Sequence, residues 1–208
     1  MARRPGAVGL PRRLRRLLTG LVAMGAGIGL MADADLGLGP WDVLHQGLSH
    51  HTGLSLGTLN IAVGAAVLLL WVPLRQRPGT GTVLNVLIIG VVVDGTLALL
   101  PEPDHLAVRT TAMLGGVVLM GVGSGLYIGA GLGPGPRDGL MTGVAARGHS
   151  VRSVRTALEV TVLIMGWGLG GTVGAGTVVL AVAIGPLVQA SLEWLGLPAP
   201  TPAGEPAR

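Results

Sequence analysis

The sequence predicts an all-α integral membrane protein with six transmembrane helices. These form two three-helix inverted repeats, each with a short extra helix after its first span. Composition indicates the class, because 50% of the residues are hydrophobic and only 12% are charged, against about 25% charged in soluble domains. Six apolar stretches indicate the spans, and a glycine-proline phrase that occurs twice indicates the repeats. The chain has no cysteine, which excludes disulfides and thiolate metal sites.

The six predicted spans are apolar stretches of the length that crosses a bilayer. About 20 apolar residues, at about 1.5 Å rise per residue, cross the hydrocarbon core. The last two spans are separated at GGTVGAG, residues 170–176, where glycines permit a tight turn. The predicted spans are residues 17–34, 54–74, 79–101, 110–130, 156–171 and 176–195.

The first span follows a cluster of arginines and therefore also resembles a cleavable signal peptide. Its sequence MGAGIGL, residues 24–30, is matched by MGVGSGL at residues 120–126, inside a later span. A removable leader has no reason to share a pattern with an internal span. We therefore expect residues 17–34 to remain as a helix, preceded by a basic cytoplasmic tail at residues 1–16.

The repeat continues beyond this phrase with the same spacing. LGLGPWDVL at residues 36–44 matches LGPGPRDGL at residues 132–140. The spacing persists through the next span and shifts by one residue in the last span of each copy, where Gly90 matches Gly185. The predicted units are a first three-helix repeat at residues 17–101, a second at residues 106–197, and a disordered C-terminal tail at residues 198–208.

The charges of the loops predict that the two copies are inverted. Three spans per copy is an odd number, so the second copy must enter the membrane from the opposite side. The loop after the first span has no arginine, whereas the matching loop contains Arg137, Arg147, Arg152 and Arg155. Because arginine is enriched in cytoplasmic loops, this difference is expected of an inverted repeat. The arginines before the first span place the N-terminus in the cytoplasm, and six spans place the C-terminus there too.

The phrases LGLGPWDVL and GLYIGAGLGPGPRDGLMTG, with the glycine-rich spans, resemble the YczE/YyaS/YitT group of bacterial polytopic membrane proteins, and its YczE branch most closely. The resemblance covers about residues 15–197, and GPRDGLM is its most specific part. It implies a multi-pass protein of the bacterial cytoplasmic (inner) membrane. It implies no activity and no catalytic residue.

The repeated phrase predicts a short helix in each copy. Glycine at the cap, proline at the first helical position and an acid in the first turn favour a helix start. Helices at residues 41–49 and 137–146 would be too short to cross the bilayer. They either lie along its surface or re-enter it from opposite faces, which would bring their aspartates together near the midplane. The residues of the motif are Gly39, Pro40 and Asp42 in the first copy and Gly135, Pro136, Arg137 and Asp138 in the second.

Four polar residues are candidates for contact with a transported solute: Asp42, Asp94, Asp138 and Gln189. Asp94 lies in an apolar span, where a charge costs about 2.5–3.5 kcal/mol at the centre, and Gln189 matches it in the second copy. A structural pairing, or hydration near the outer end of the span, would explain Asp94 equally well. Asp42 and Asp138 are also explained by helix starts alone.

These features predict a permease or channel for an unknown small solute, or alternatively a non-transporting membrane scaffold or regulatory partner protein. A polar cavity that contains Asp42, Asp94 and Asp138 would favour transport. The chain lacks the zinc-hydrolase motif H-E-x-x-H, and we do not expect an enzyme. The spacing of His45, His50 and His51 matches no helical ligand pair. We expect no metal, cofactor or nucleic acid; the expected partners are the lipid bilayer and a small solute, and homo-oligomer formation stays open.

Overall fold

The computed structural model describes residues 9–101 and 105–196. Within these ranges the chain forms eight helices and no strand, which confirms the predicted all-α architecture. The helices are α1 (Leu10–Ala34), α2 (Pro40–Thr52), α3 (Leu56–Leu74), α4 (Thr80–Leu99), α5 (Leu106–Ala130), α6 (Pro136–Ala145), α7 (Val151–Gly168) and α8 (Ala175–Trp194).

Five of these helices are long and apolar enough to cross a membrane: α1, α3, α4, α5 and α8. The sixth predicted span, residues 156–171, is not among them. Its helix, α7, begins earlier, at Val151, and therefore includes charged residues that the predicted span left out. The first half of α7 contains Arg152, Arg155 and Glu159, and charged side chains are costly in hydrocarbon.

The first helix begins at Leu10 rather than at residue 17. Part of the predicted basic tail at residues 1–16 is therefore helical, and its arginines form the first turns of α1. The remainder of that tail, residues 1–8, and the predicted tail at residues 198–208 lie outside the described residues.

The two short helices begin where the repeated phrase predicts. Gly39 and Gly135 are extended N-cap residues, and Pro40 and Pro136 follow them in the first turns of α2 and α6. The end of α2 was predicted less well, because the helix continues past residue 49 to Thr52. It ends at Gly53, whose φ of 69° a glycine adopts without strain.

The centre of the fold is an antiparallel pair formed by α1 and α5. Gly27 lies against Gly116, and Gly20 lies against Gly123, so residue numbers rise along one helix while they fall along the other. A Cβ atom at any of these four glycines would lie only 2.6–2.7 Å from the carbonyl oxygen of the facing glycine. Small residues therefore let the two backbones touch, as is common between membrane helices.

An arginine at the start of each central helix caps the end of the other. Arg13 Nε donates a hydrogen bond to the carbonyl of Ala130 at 2.7 Å, and Arg109 Nε donates to that of Ala34 at 2.7 Å. The last carbonyls of a helix lack partners within the helix and lie at its negative end, so a guanidinium stabilises them.

The remaining helices surround this pair in two similar but unequal halves. α4 packs on α1 and α8 packs on α5, while α2 packs on α7 and α6 packs on α3. α3 and α4 are also in close contact, because Gly90 packs against Gly57 and Ile61. α7 and α8 share little interface, and a Cβ at Gly185 would have open space around it. The contact between α3 and α4 is therefore close, whereas that between α7 and α8 is loose.

Candidate functional site

The two copies of the phrase meet in one cavity of about 300 Å³. The starts of α2 and α6 form part of its wall, and the other helices complete it. The lining includes Gly39, Pro40 and Asp42 from the first copy and Gly135, Pro136, Arg137 and Asp138 from the second. The two short helices thus point their N-terminal ends at a shared space.

The buried end of the cavity is formed by three side chains of α2. The exposed fractions are 6% for Trp41, 2% for Asp42 and 1% for His45. Asp42 Oδ1 lies 3.4 Å from His45 Nδ1 and 3.6 Å from Arg137 Nη2. Trp41 Nε1, Asp42 Oδ1 and His45 Nδ1 have no hydrogen-bond partner among the described residues. Buried polar atoms are rarely unpaired, so this part of the cavity wall has unused hydrogen-bonding capacity.

Arg137 links the two short helices. Its guanidinium carbon lies 5.0 Å from the centroid of the Trp41 ring, and its Nη2 lies 3.6 Å from the Asp42 carboxylate. A cation in the first turn of a helix is disfavoured by the helix dipole. The carboxylate and the ring face of the other copy offset this effect. Trp41 and Arg137 occupy the same place in the two phrases, so the copies touch through matching positions.

The exposed end of the cavity has a different set of charges. Arg155 Nε donates a hydrogen bond to Glu159 Oε1 at 2.9 Å, and both side chains line the cavity. Asp138 is exposed and has no ion-pair partner within the described part of the chain. The cavity thus contains two ion pairs and one carboxylate without a cationic partner.

Sequence reasoning missed several polar residues of this cavity. Asn60 on α3, Asn85 on α4, and Ser124 and Tyr127 on α5 all line it, as do Arg155 and Glu159. The two asparagines carried a usable signal, because a polar side chain within an apolar span usually faces the protein interior.

Asp94 lies outside this cavity and caps α3. Ser55 Oγ donates to Asp94 Oδ2 at 2.6 Å, and the Gly57 backbone N–H donates to Asp94 Oδ1 at 2.7 Å. Ser55 is the N-cap residue of α3, so the carboxylate of Asp94 binds the positive end of that helix. This is the structural pairing that we considered for Asp94 as an alternative.

Gln189 also lies outside the cavity. It is exposed on α8, and its Nε2 donates to Glu193 Oε1 at 3.0 Å. Asp94 therefore joins two helices, whereas the hydrogen bond of the matching Gln189 among the described residues stays within α8. Of the four candidate residues, the structure brings Asp42 and Asp138 into one cavity and places Asp94 and Gln189 elsewhere.

Residues 11–192 match a family described as a family of unknown function, DUF6198. This chain belongs to that family. It is 42% identical over 174 residues to an uncharacterized protein of Haemophilus influenzae, across 83% of this chain and 80% of that protein. No solved structure matches the chain.

Two Bacillus subtilis proteins are also similar. The chain is 37% identical to the uncharacterized membrane protein YczE, across 83% of this chain and 82% of YczE. It is 27% identical to the uncharacterized protein YyaS, across 80% of this chain and 85% of YyaS. These matches confirm the YczE-like family that the repeated phrases predicted. The five long apolar helices within the described residues are consistent with a membrane protein.

Proposed function

We propose that this protein is a permease for a small solute in the bacterial cytoplasmic membrane, with both termini in the cytoplasm. Its six spans would form two inverted repeats, residues 17–101 and 106–197, and the cavity would be the solute site. The observation that carries the proposal is that both copies of the phrase, with their aspartates, line one cavity. Transporters with inverted repeats place their sites at the repeat interface, where discontinuous helices begin.

The inverted repeat is supported by contacts that occur twice. Gly81 N donates to the Leu132 carbonyl at 2.9 Å, and Gly176 N donates to that of Leu36 at 2.8 Å. These two bonds join matching positions of the two copies, as do the two arginine caps of α1 and α5. Because α1 and α5 are antiparallel, an axis that exchanges them is perpendicular to both. An axis of this kind in the membrane plane relates inverted repeats.

The sixth span would be α7, with its charges directed away from lipid. Arg155 and Glu159 line the cavity and form an ion pair there. Ionisable residues within spans usually face a water-filled cavity and pair with each other. The charged residues by which α7 differs from the other spans are therefore compatible with a helix that lines the transport path.

The difference between the two halves supports a permease rather than an open channel. The contact of Gly57 with Gly90 and the hydrogen bonds of Asp94 close α3 against α4. The matching contact between α7 and α8 is open at Gly185. In an inverted-repeat transporter one repeat moves against the other around a fixed site. The solute would enter past Arg155 and leave after α7 closes on α8 and α3 separates from α4.

The second candidate is a scaffold or regulatory partner protein that does not transport. It is favoured by one surface of α8, where Gly185 has open space around it and Gln189 is exposed. Small and polar residues promote association between membrane helices, so this surface could bind another membrane protein or a second copy of the chain.

Disulfide locking separates these candidates, since the chain has no cysteine of its own. A Cβ at Gly64 would lie 3.6 Å from Val86 Cβ, within the disulfide range of about 3.5–4.5 Å. Gly64→Cys with Val86→Cys should therefore oxidise readily and hold α3 against α4. Both positions line the cavity, so the reduced form of the same variant is the reference for transport. Ala157→Cys with Gly185→Cys is the test pair, because these positions match Ile61 and Gly90, which are in contact. We expect it to oxidise only when α7 closes on α8.

Transport itself is measured in proteoliposomes that are given a mixture of small solutes, with the accumulated solutes identified by mass spectrometry. At least one solute should accumulate when the Gly64→Cys, Val86→Cys protein is reduced and stop accumulating when it is oxidised. The cysteine-free protein under the same oxidant is the control. A protein that forms no disulfide in the test pair and accumulates no solute would contradict the permease and leave the scaffold.

A further inference from the structure

The charged side chains of the cavity are balanced except for one carboxylate. Asp42 lies 3.6 Å from Arg137, and Glu159 lies 2.9 Å from Arg155. Asp138 has no cation within ion-pair distance among the described residues. Low-dielectric walls focus the field of such a charge and concentrate ions of the opposite sign. The cavity thus attracts a single positive charge.

The remaining walls favour an organic cation over a hydrated metal ion. The cavity is lined mainly by apolar side chains, including Met24, Ile28, Met120, Met141 and Ile184. The aromatic rings of Trp41 and Tyr127 also line it, and ring faces attract alkylated ammonium groups. Metal cations instead require several oxygen ligands, and no cluster of three metal-ligating side chains occurs in the described ranges.

The buried end of the cavity adds an independent requirement. Trp41 Nε1 is a donor without a partner, and Asp42 Oδ1 is an acceptor without a hydrogen-bond donor within the described part of the chain. Both residues are more than nine-tenths buried and line the same cavity as Asp138. A hydroxyl group both donates and accepts, so one such group on a ligand could bind both atoms.

We propose, on the basis of the permease function above, that the solute is a small organic monocation that also carries a polar group such as a hydroxyl. Its ammonium group binds beside Asp138 at the exposed end of the cavity. Its polar group reaches Trp41 and Asp42 at the buried end.

A pair of probes that differ only in charge tests this proposal. Choline and 3,3-dimethylbutan-1-ol have the same shape and the same hydroxyl, but only choline is a cation. Binding of each to the purified protein in lipid nanodiscs is measured by isothermal titration calorimetry. Choline should bind at least about tenfold more tightly, because an ion pair in a partly desolvated site is worth more than about 1.4 kcal/mol. Equal affinities, or no measurable binding of choline, would overturn the proposal.

The charge preference should depend on Asp138. Asp138→Asn should weaken choline binding by about tenfold or more and leave the neutral alcohol unchanged. Glu193→Gln is the matched control, since it removes an acid of α8 that does not line the cavity, and it should bind choline like the unaltered protein. Unchanged choline binding in Asp138→Asn would overturn the proposal. If that variant does not fold, the comparison of choline with the neutral alcohol on the unaltered protein still tests the proposal.

Failure of this proposal is distinguishable from failure of the permease function. Closure of α7 on α8 is read by the disulfide of Ala157→Cys and Gly185→Cys, which requires no ligand. A protein that forms this disulfide and transports a neutral or anionic solute would be a permease without the proposed cation site. Choline binding that depends on Asp138, without disulfide formation or transport, would support the site and contradict the permease.

Discussion

Two aspartates at the same place in a repeated phrase have different environments in this fold. Asp42 is 2% exposed and lies beside His45 and Arg137, whereas Asp138 is exposed and has no ion pair within the described residues. The difference follows from the preceding residue of each phrase. Arg137 of the second copy extends to Asp42, but the first copy has Trp41 at that place and offers Asp138 no cation.

The sequence predicted the residues of this site better than their partners. The phrase identifies Asp42 and Asp138 because local helix-start chemistry is readable from adjacent residues. The pairing of Arg137 with Asp42 joins residues far apart in the chain, so only the packing of α2 beside α6 reveals it. Asp94 was a candidate because a lone carboxylate in a span needs hydrogen-bond donors. In the structure the start of α3 provides those donors.

At the residue scale, we predict that Asp94→Asn destabilises the α3–α4 contact. The carboxylate accepts from Ser55 Oγ and Gly57 N through its two oxygens, whereas an amide offers one oxygen and no charge. We expect a loss of about 1–2 kcal/mol in the free energy of unfolding, the range for a cap and a charge-assisted hydrogen bond. The measurement is the apparent Tm in detergent, followed by circular dichroism.

The matching position in the second copy provides the control for this change. Gln189 is exposed, and its hydrogen bond within the described part of the chain is to Glu193 on the same helix, so Gln189→Ala should leave the apparent Tm within error of the unaltered protein. Equal Tm values for Asp94→Asn and the unaltered protein would mean that the carboxylate does not stabilise the start of α3.

At the element scale, helix starts were more predictable than helix ends or spans. Gly39-Pro40 and Gly135-Pro136 determine the starts of α2 and α6 through local backbone chemistry. The start of α7 also had a local signal, because Ser150 accepts a hydrogen bond from the backbone of Ser153. The prediction missed this signal because it placed the span at the apolar residues 156–171, which begin after Ser150. A hydropathy window locates apolar residues, whereas the helix begins where its first N–H groups find a partner.

The close contact of α1 and α5 predicts opposite effects for two neighbouring glycines. Gly116→Ala would place a Cβ 2.6 Å from the Gly27 carbonyl oxygen, so the two helices would have to separate, at a cost of about 1–3 kcal/mol. Gly115→Ala meets no atom within 4 Å and should stabilise the helix by up to about 1 kcal/mol through helix propensity. Apparent Tm values of the two variants should therefore move in opposite directions. A lower Tm for Gly115→Ala alone would contradict this packing.

At the scale of the whole molecule, the two proposed repeats differ in how closely their last two long helices pack. The sequence predicted two copies because the phrase and its spacing are visible along the chain. It did not predict that α3 and α4 pack closely while α7 and α8 share little interface, because that difference depends on tertiary contacts. Gly57 and Asp94 seal the first pair, and the second pair has Ser153 and Gln189 at the matching positions. The close and the loose contact thus differ in side chains at matching positions of the two copies.

The proposed inverted repeat makes a specific prediction about which side of the membrane each loop occupies. The ends of α3 and α6 should lie together on the cytoplasmic side, where Arg147 Nη2 donates to the Pro73 carbonyl at 3.0 Å. The end of α2 should lie on the opposite side. Single cysteines at exposed positions can report this: Pro78→Cys after α3, His149→Cys after α6 and His50→Cys near the end of α2. None of these changes removes an arginine, so the charges that set the orientation remain intact.

A membrane-impermeant thiol reagent should label position 50 in intact spheroplasts and positions 78 and 149 only in inside-out vesicles. The unaltered chain is the control, since it has no thiol to react. The reason for the expected pattern is that three spans separate each loop of one copy from the matching loop of the other, so matching loops must emerge on opposite sides. Labelling of positions 50 and 149 from the same side would exclude the inverted repeat. Because the alternating closure of α3–α4 and α7–α8 requires that symmetry, it would also remove the basis for transport by exchange of the two halves.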